Sequence, residues 1–193
     1  MSWLIVGLVL FLGIHSIRIF AEPLRQGMVD RMGLWPYKAV YSVVALIGFV
    51  LIVYGYGEAR MNPVVLYQPP SFLRHLTMLL MLIVFPALLA AYLPGRVQSA
   101  LKHPMLIAVK AWALSHLLVN GTLADVLLFG GFLVWAVADR ISVKRRADSK
   151  PFVQLPSSAL NDVIVIVGGL GLYLAFVFWL HPLLIGVPAV VMS

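Results

Sequence analysis

Two histidines, His15 in F-L-G-I-H-S-I-R-I and His116 in W-A-L-S-H-L-L-V-N-G, fall inside apolar runs with no cluster of charge beside them. A polar, metal-competent side chain in hydrocarbon is costly and marks a task. Two neutral imidazoles facing each other across a gap suit a haem iron with both axial positions filled. A helix bundle is a usual frame for such a site. Non-haem iron or zinc would call for carboxylates or more histidines at the same depth. Asp125, Asp139 and Asp162 all read as lying near helix ends. The pair could equally hydrogen-bond between helices or pass a proton, and spacing alone leaves these roles open.

The elements that must position the pair are membrane helices. Of the 193 residues, 62% are hydrophobic and 11% charged, too little charge to cover a soluble surface. Crossing the hydrocarbon takes roughly 20 apolar residues as helix. Six segments qualify: Trp3–Phe20, Ala39–Gly57, Phe72–Leu93, Pro104–Val119, Leu123–Asp139 and Asn161–Leu180, with an apolar tail Leu183–Met192. The runs are continuous rather than alternating, which excludes a β-barrel. The expected fold is an all-α, polytopic membrane helix bundle with about six transmembrane helices, in a single domain over residues 1–193. Pro86 should kink the third helix. Asn120-Gly121 reads as a turn between the fourth and fifth helices, with Thr122 and Asp125 capping the start of the fifth. The first run has no basic region before it and no A-x-A site after it, so it is expected to stay as a helix rather than be cleaved.

Charge sets the orientation. The loops after the first, third and fifth helices hold Arg18, Arg25, Arg31, Lys38, Arg96, Lys102, Arg140, Lys144, Arg145, Arg146 and Lys150, 11 of the 14 basic residues. That places those loops in the cytoplasm and both termini outside. The net charge of +7 accords with this rule, and no basic stripe or soluble domain exists to present to nucleic acid. The expected partner is the lipid bilayer. The loop Arg140–Ser158, with K-R-R-A-D-S-K, reads as a solvated cytoplasmic loop. Trp3, Trp35, Tyr37, Tyr67, Tyr92 and Trp179 fall near predicted ends as interfacial anchors. Absence of Cys removes disulfides, thiolate nucleophiles and cysteine metal sites.

Depth arithmetic brings the histidines together. His15 is twelve residues from Trp3 and His116 twelve from Pro104, each about 18 Å in from opposite faces at 1.5 Å per residue. In a core about 30 Å thick they come within about 6 Å in depth. His75, His103 and His181 fall at helix edges, where a structural reading suffices, though any of them could replace a ligand. Arg18 shares a face with His15 and could meet a haem propionate. Trp112 and Asn120 flank His116 at i−4 and i+4, the first to pack on a porphyrin and the second to hydrogen-bond. Lys110 lies on another face, to snorkel or to meet a propionate. Gly168-Gly169-Leu170-Gly171 lies in an apolar span with no strand before it, so it reads as close helix packing, as do Gly130-Gly131 and Gly55/Gly57.

F-L-G-I-H-S-I-R-I, Y-K-A-V-Y-S-V-V-A-L-I-G-F-V-L-I-V-Y-G-Y-G-E-A-R, the H-P before the fourth helix, W-A-L-S-H-L-L-V-N-G, L-L-F-G-G and L-H-P-L-L-I-G-V together resemble the NnrU family over nearly the whole chain. The resemblance implies a bacterial inner-membrane protein linked to nitrite and nitric oxide metabolism. It also implies kinship with plastid ζ-carotene isomerase, which binds haem b and isomerises a central cis double bond. His15 and His116 are then the implied axial iron ligands. The plant enzymes carry a Cys where this chain has Ala113, so a thiolate ligand switch is excluded here. Many members carry Asp where Thr122 stands. Two further readings stand beside this one. The first is a non-enzymatic membrane factor for denitrification enzymes, with structural histidines. The second is a small transporter with a His/Lys relay, disfavoured by the lack of a repeat.

Overall fold

A computed structural model describes residues 1–145 and 156–190. Those residues are all-α. The helices are α1 (Ser2–Phe20), α2 (Glu22–Met32), α3 (Leu34–Ala59), α4 (Leu73–Ala90), α5 (Arg96–Leu101), α6 (Pro104–Leu117), α7 (Leu123–Arg145) and α8 (Ala159–Ile185). Among the described residues α1, α3, α4, α7 and α8 are long and apolar enough to cross a membrane. The sixth expected span, α6, has 14 residues, about 21 Å of helix against a core of about 30 Å.

Several boundaries move for local reasons. α3 starts at Leu34 because Pro36 falls in its first turn, where a missing N–H costs nothing, and Gly33 ends α2 at φ +88°. α2, read as loop from its polarity, is an eleven-residue helix with Pro23 near its start and Glu22 in its first turn. α7 runs past Asp139 to Arg145, with Lys144 and Arg145 favoured at its C-terminal dipole end. The expected loop Arg140–Ser158 is therefore helical to Arg145, and its residues 146–155 lie outside the described residues. α8 absorbs the start of the expected tail and ends at Gly186, in the left-handed region at φ +79°. Three five-residue π-turns lie inside the long helices: Val126–Gly130 in α7, and Ile164–Gly168 and Phe176–Leu180 in α8.

The chain divides into two compact units, each drawn from two stretches. The first comprises Met1–Ser71 and His116–Ala147, the second Phe72–Ser115 and Asp148–Ser193.

In the first unit α1 lies against α3 at glycine contacts. A Cβ on Gly55 would sit 2.2 Å from the Leu4 nitrogen, and one on Gly48 2.7 Å from that of Phe11. Small residues let two backbones approach and gain dispersion where lipid offers no hydrophobic drive. Gly57, Gly130 and Gly171 meet nothing, so the packing reading holds for only part of each glycine set.

In the second unit α8 lies against α4. A Cβ on Gly169 would come 2.6 Å from Pro86, and α4 continues through that proline. Val84, Ala87 and Ala108 form a buried cluster between α4 and α6. Asp162 caps α5, accepting from the backbone N–H groups of Arg96 (3.1 Å) and Val97 (3.0 Å).

Candidate functional site

His15 and His116 both lie in the first unit. The other three histidines, His75, His103 and His181, belong to the second.

The α6–α7 turn fixes where His116 stands. Gly121 accepts from the Leu66 and Tyr67 N–H groups at 2.8 and 3.1 Å, and Leu123 donates to Val64 at 2.8 Å. A Cβ on Gly121 would lie 1.9 Å from the Tyr67 carbonyl oxygen, so only glycine fits the turn. The Tyr67 hydroxyl reaches the Leu117 and Asn120 carbonyls at 2.5 and 2.8 Å. Burial, and then the nearby Asp125 carboxylate, raise this phenol above its ordinary value, which keeps it a donor. Tyr67 is thus more than the interfacial anchor read from sequence. It satisfies the open carbonyls at the end of α6.

The expected capping box at Thr122 is present and extended. Asp125 is 4% exposed. It accepts from the Thr122 N–H (2.9 Å) and hydroxyl (2.6 Å) on one oxygen and from the Tyr56 hydroxyl (2.6 Å) on the other. The Thr122 bonds are local; the Tyr56 bond ties α7 to α3. A buried carboxylate is tolerated when its oxygens are met in this way. Tyr56 stands edge-on to Phe129 at 6.2 Å, and Phe129 stacks on His116 at 4.5 Å.

His15 is oriented by its own helix. Its Nδ1 lies 2.6 Å from the Phe11 carbonyl oxygen. A carbonyl only accepts, so Nδ1 carries the proton and Nε2 keeps the lone pair that binds a metal. The ring stacks on Phe11 at 4.3 Å and meets Tyr41 at 5.2 Å and Trp135 at 6.0 Å. Phe11 in turn meets Phe132 at 5.6 Å. Phe129, Phe132 and Trp135 therefore form a ladder on α7, with His116 at its first rung and His15 at its last. Those rungs are six residues apart, about 9 Å of rise. The depth arithmetic sets the two histidines within about 6 Å of each other, and the residues of α7 that they touch are about 9 Å apart along the helix. The π-turn Val126–Gly130 holds Phe129, the first of those rungs, and such turns concentrate at functional sites.

The remaining predicted residues divide. Arg18, with its side chain 56% exposed, is 3.8 Å from Glu22, whose other oxygen takes the Arg25 guanidinium at 2.9 Å. Asn120 donates its side-chain amide to the His116 carbonyl at 3.0 Å, so it caps α6. Trp112 belongs to the second unit and packs against its Val84, Ala87 and Ala108 cluster. Lys110 is half-buried in the same unit. Of the edge histidines, His75 lies 3.3 Å from the Phe72 carbonyl and His181 2.7 Å from that of Val187. Among the described residues no three His, Asp or Glu side chains gather as a metal-binding group. Tyr41, Tyr56, Phe129 and Trp135 escape sequence reasoning, because which face of a helix meets which neighbour is not written in any one segment.

The family model described as NnrU protein matches residues 3–189. No curated protein and no solved structure matches the chain.

Proposed function

The chain belongs to the NnrU family of membrane proteins, and from that premise we propose that it holds haem b between His15 and His116. The observation that carries this reading is the gathering of these two of the five histidines in one unit along one aromatic face of α7. The residues fit the group. His15 has its Nδ1 engaged and its Nε2 available, both imidazoles stand among aromatic rings, and a buried indole donor beside His15 lacks an acceptor.

Haem would supply redox and Lewis-acid chemistry in the hydrocarbon layer. The chain's own residues fix the tautomer of His15, set the end of α6 through Tyr67 and Asn120, and exclude water with Phe11, Phe129 and Phe132. The substrate class is a hydrophobic polyene undergoing cis–trans isomerisation, or nitric oxide in a redox or sensing role. The protein lies in the bacterial inner membrane with both termini periplasmic, as the loop charges direct. The visible spectrum of the purified protein with and without dithionite tests the reading. A Soret band that survives purification and shifts on reduction is expected. Its absence from protein made with ample haem overturns the proposal and favours a non-enzymatic factor acting on denitrification enzymes.

A further inference from the structure

The fold leaves one donor over beside His15. The Trp135 indole N–H in α7 is shut from solvent and meets no acceptor in the protein. In an apolar span such a group costs free energy until something accepts its proton. Its ring stands perpendicular to His15 at 6.0 Å. Tyr41, 5.2 Å from the same imidazole, adds a hydroxyl to the surround. Of the carboxylates, Glu22 takes the Arg25 guanidinium on one oxygen and lies 3.8 Å from Arg18 on the other, and Asp125 meets Tyr56 and Thr122; none described accepts from Trp135. A donor that the chain leaves unmatched is suited to a ligand that brings its own acceptor oxygen.

Resting on the haem reading above, we propose that the Trp135 N–H, seconded by the Tyr41 hydroxyl, anchors a porphyrin carboxylate of the group ligated at His15. An N–H donated to a carboxylate in a low dielectric is among the stronger hydrogen bonds. It also fixes the rotation of the macrocycle about the iron–imidazole axis, which a ligand nitrogen alone leaves free. Trp135 would then be a binding residue and Tyr41 its neighbour in the same role.

The test loads the purified full-length protein with haem b or with its dimethyl ester, in which both carboxylates are capped. Release of each to excess apomyoglobin is then timed. Wild type should hold haem b roughly tenfold longer than the ester, equivalent to about 1.4 kcal/mol. Trp135→Phe keeps a ring and removes the donor. It should lose most of the preference, releasing the two porphyrins within about twofold of each other, with the Soret position of bound haem unchanged. Tyr41→Phe should show part of the same loss, and it carries the test alone if Trp135→Phe fails to fold by circular dichroism. A Trp135→Phe protein that keeps the wild-type preference overturns the anchor and leaves the haem reading standing. Equal loss of both porphyrins, with their ratio intact, overturns it in favour of packing. Wild type that binds neither porphyrin overturns both proposals.

Discussion

The two units treat their polar groups differently. In the first, side chains from different helices answer one another: His15 meets Tyr41 and Trp135, Asp125 meets Tyr56, and Phe129 links that carboxylate's partner to His116. In the second, polar side chains bond to backbone: Asp162 accepts from the first N–H groups of α5, Asn161 donates to the Pro94 carbonyl at 2.7 Å, and Thr77 and Tyr173 donate to the Ser115 and Met78 carbonyls. Its interior is made of small apolar residues, Val84, Ala87 and Ala108, under Trp112. The contrast is between side chains that meet side chains across helices and side chains that close open backbone groups.

The largest expected effect breaks this comparison outright. His15→Ala and His116→Ala should each abolish or severely weaken the Soret absorbance of the purified protein, while His75→Ala, His103→Ala and His181→Ala should leave it intact. Loss of absorbance in any of the last three would move the ligands into the second unit. Next come the close approaches of the helices. Gly55→Ala in the first unit and Gly169→Ala in the second should each destabilise by about 1–3 kcal/mol through overpacking, read as a lower unfolding temperature in detergent. Gly57→Ala and Gly171→Ala, which meet nothing, are the controls. The polar contacts should then separate the units. Tyr56→Phe removes a bond to a buried carboxylate and should cost about 1.5–3 kcal/mol. Tyr173→Phe, which loses only a 3.3 Å bond to the Met78 carbonyl, should cost about 0.5–1.5 kcal/mol. Equal costs would erase the distinction. Asp162→Ala, where one cap of α5 is lost, should fall at the low end, about 0.5–1 kcal/mol, measured in the same melts.

Much of the fold is legible in the sequence because the signals are local. Apolar run length predicts α1, α3, α4, α7 and α8, and the Asn120-Gly121-Thr122-Asp125 stretch announces a turn and a capping box that the structure contains. His15 and His116 stand out by type alone, although His116 lies in the last turn of α6 rather than at mid-span. The hidden part depends on pairing between distant segments. Nothing in G-Y-G marks Tyr56 as the partner of Asp125, 69 residues away. Trp135 looks like any tryptophan near a helix end until α7 is laid beside α1. Which rungs of α7 the two imidazoles touch escapes a depth count, because counting from helix ends says nothing of a third helix. α2 escapes because a polar helix carries no apolar stripe to betray it.

The interleaving of the units has a consequence for the order in which the protein is made. His15 leaves the ribosome early, but Trp135, which completes its surround, is encoded 120 residues later. At 5–20 residues per second that delay is about 6–24 s. Through that interval α4, α5 and most of α6, which belong to the other unit, are synthesised while the first remains unfinished. The nascent chain must therefore keep a half-built polar surround waiting in or beside the translocon. A slow codon or a chaperone that holds α1 and α3 until α7 arrives would raise the yield of correctly assembled protein.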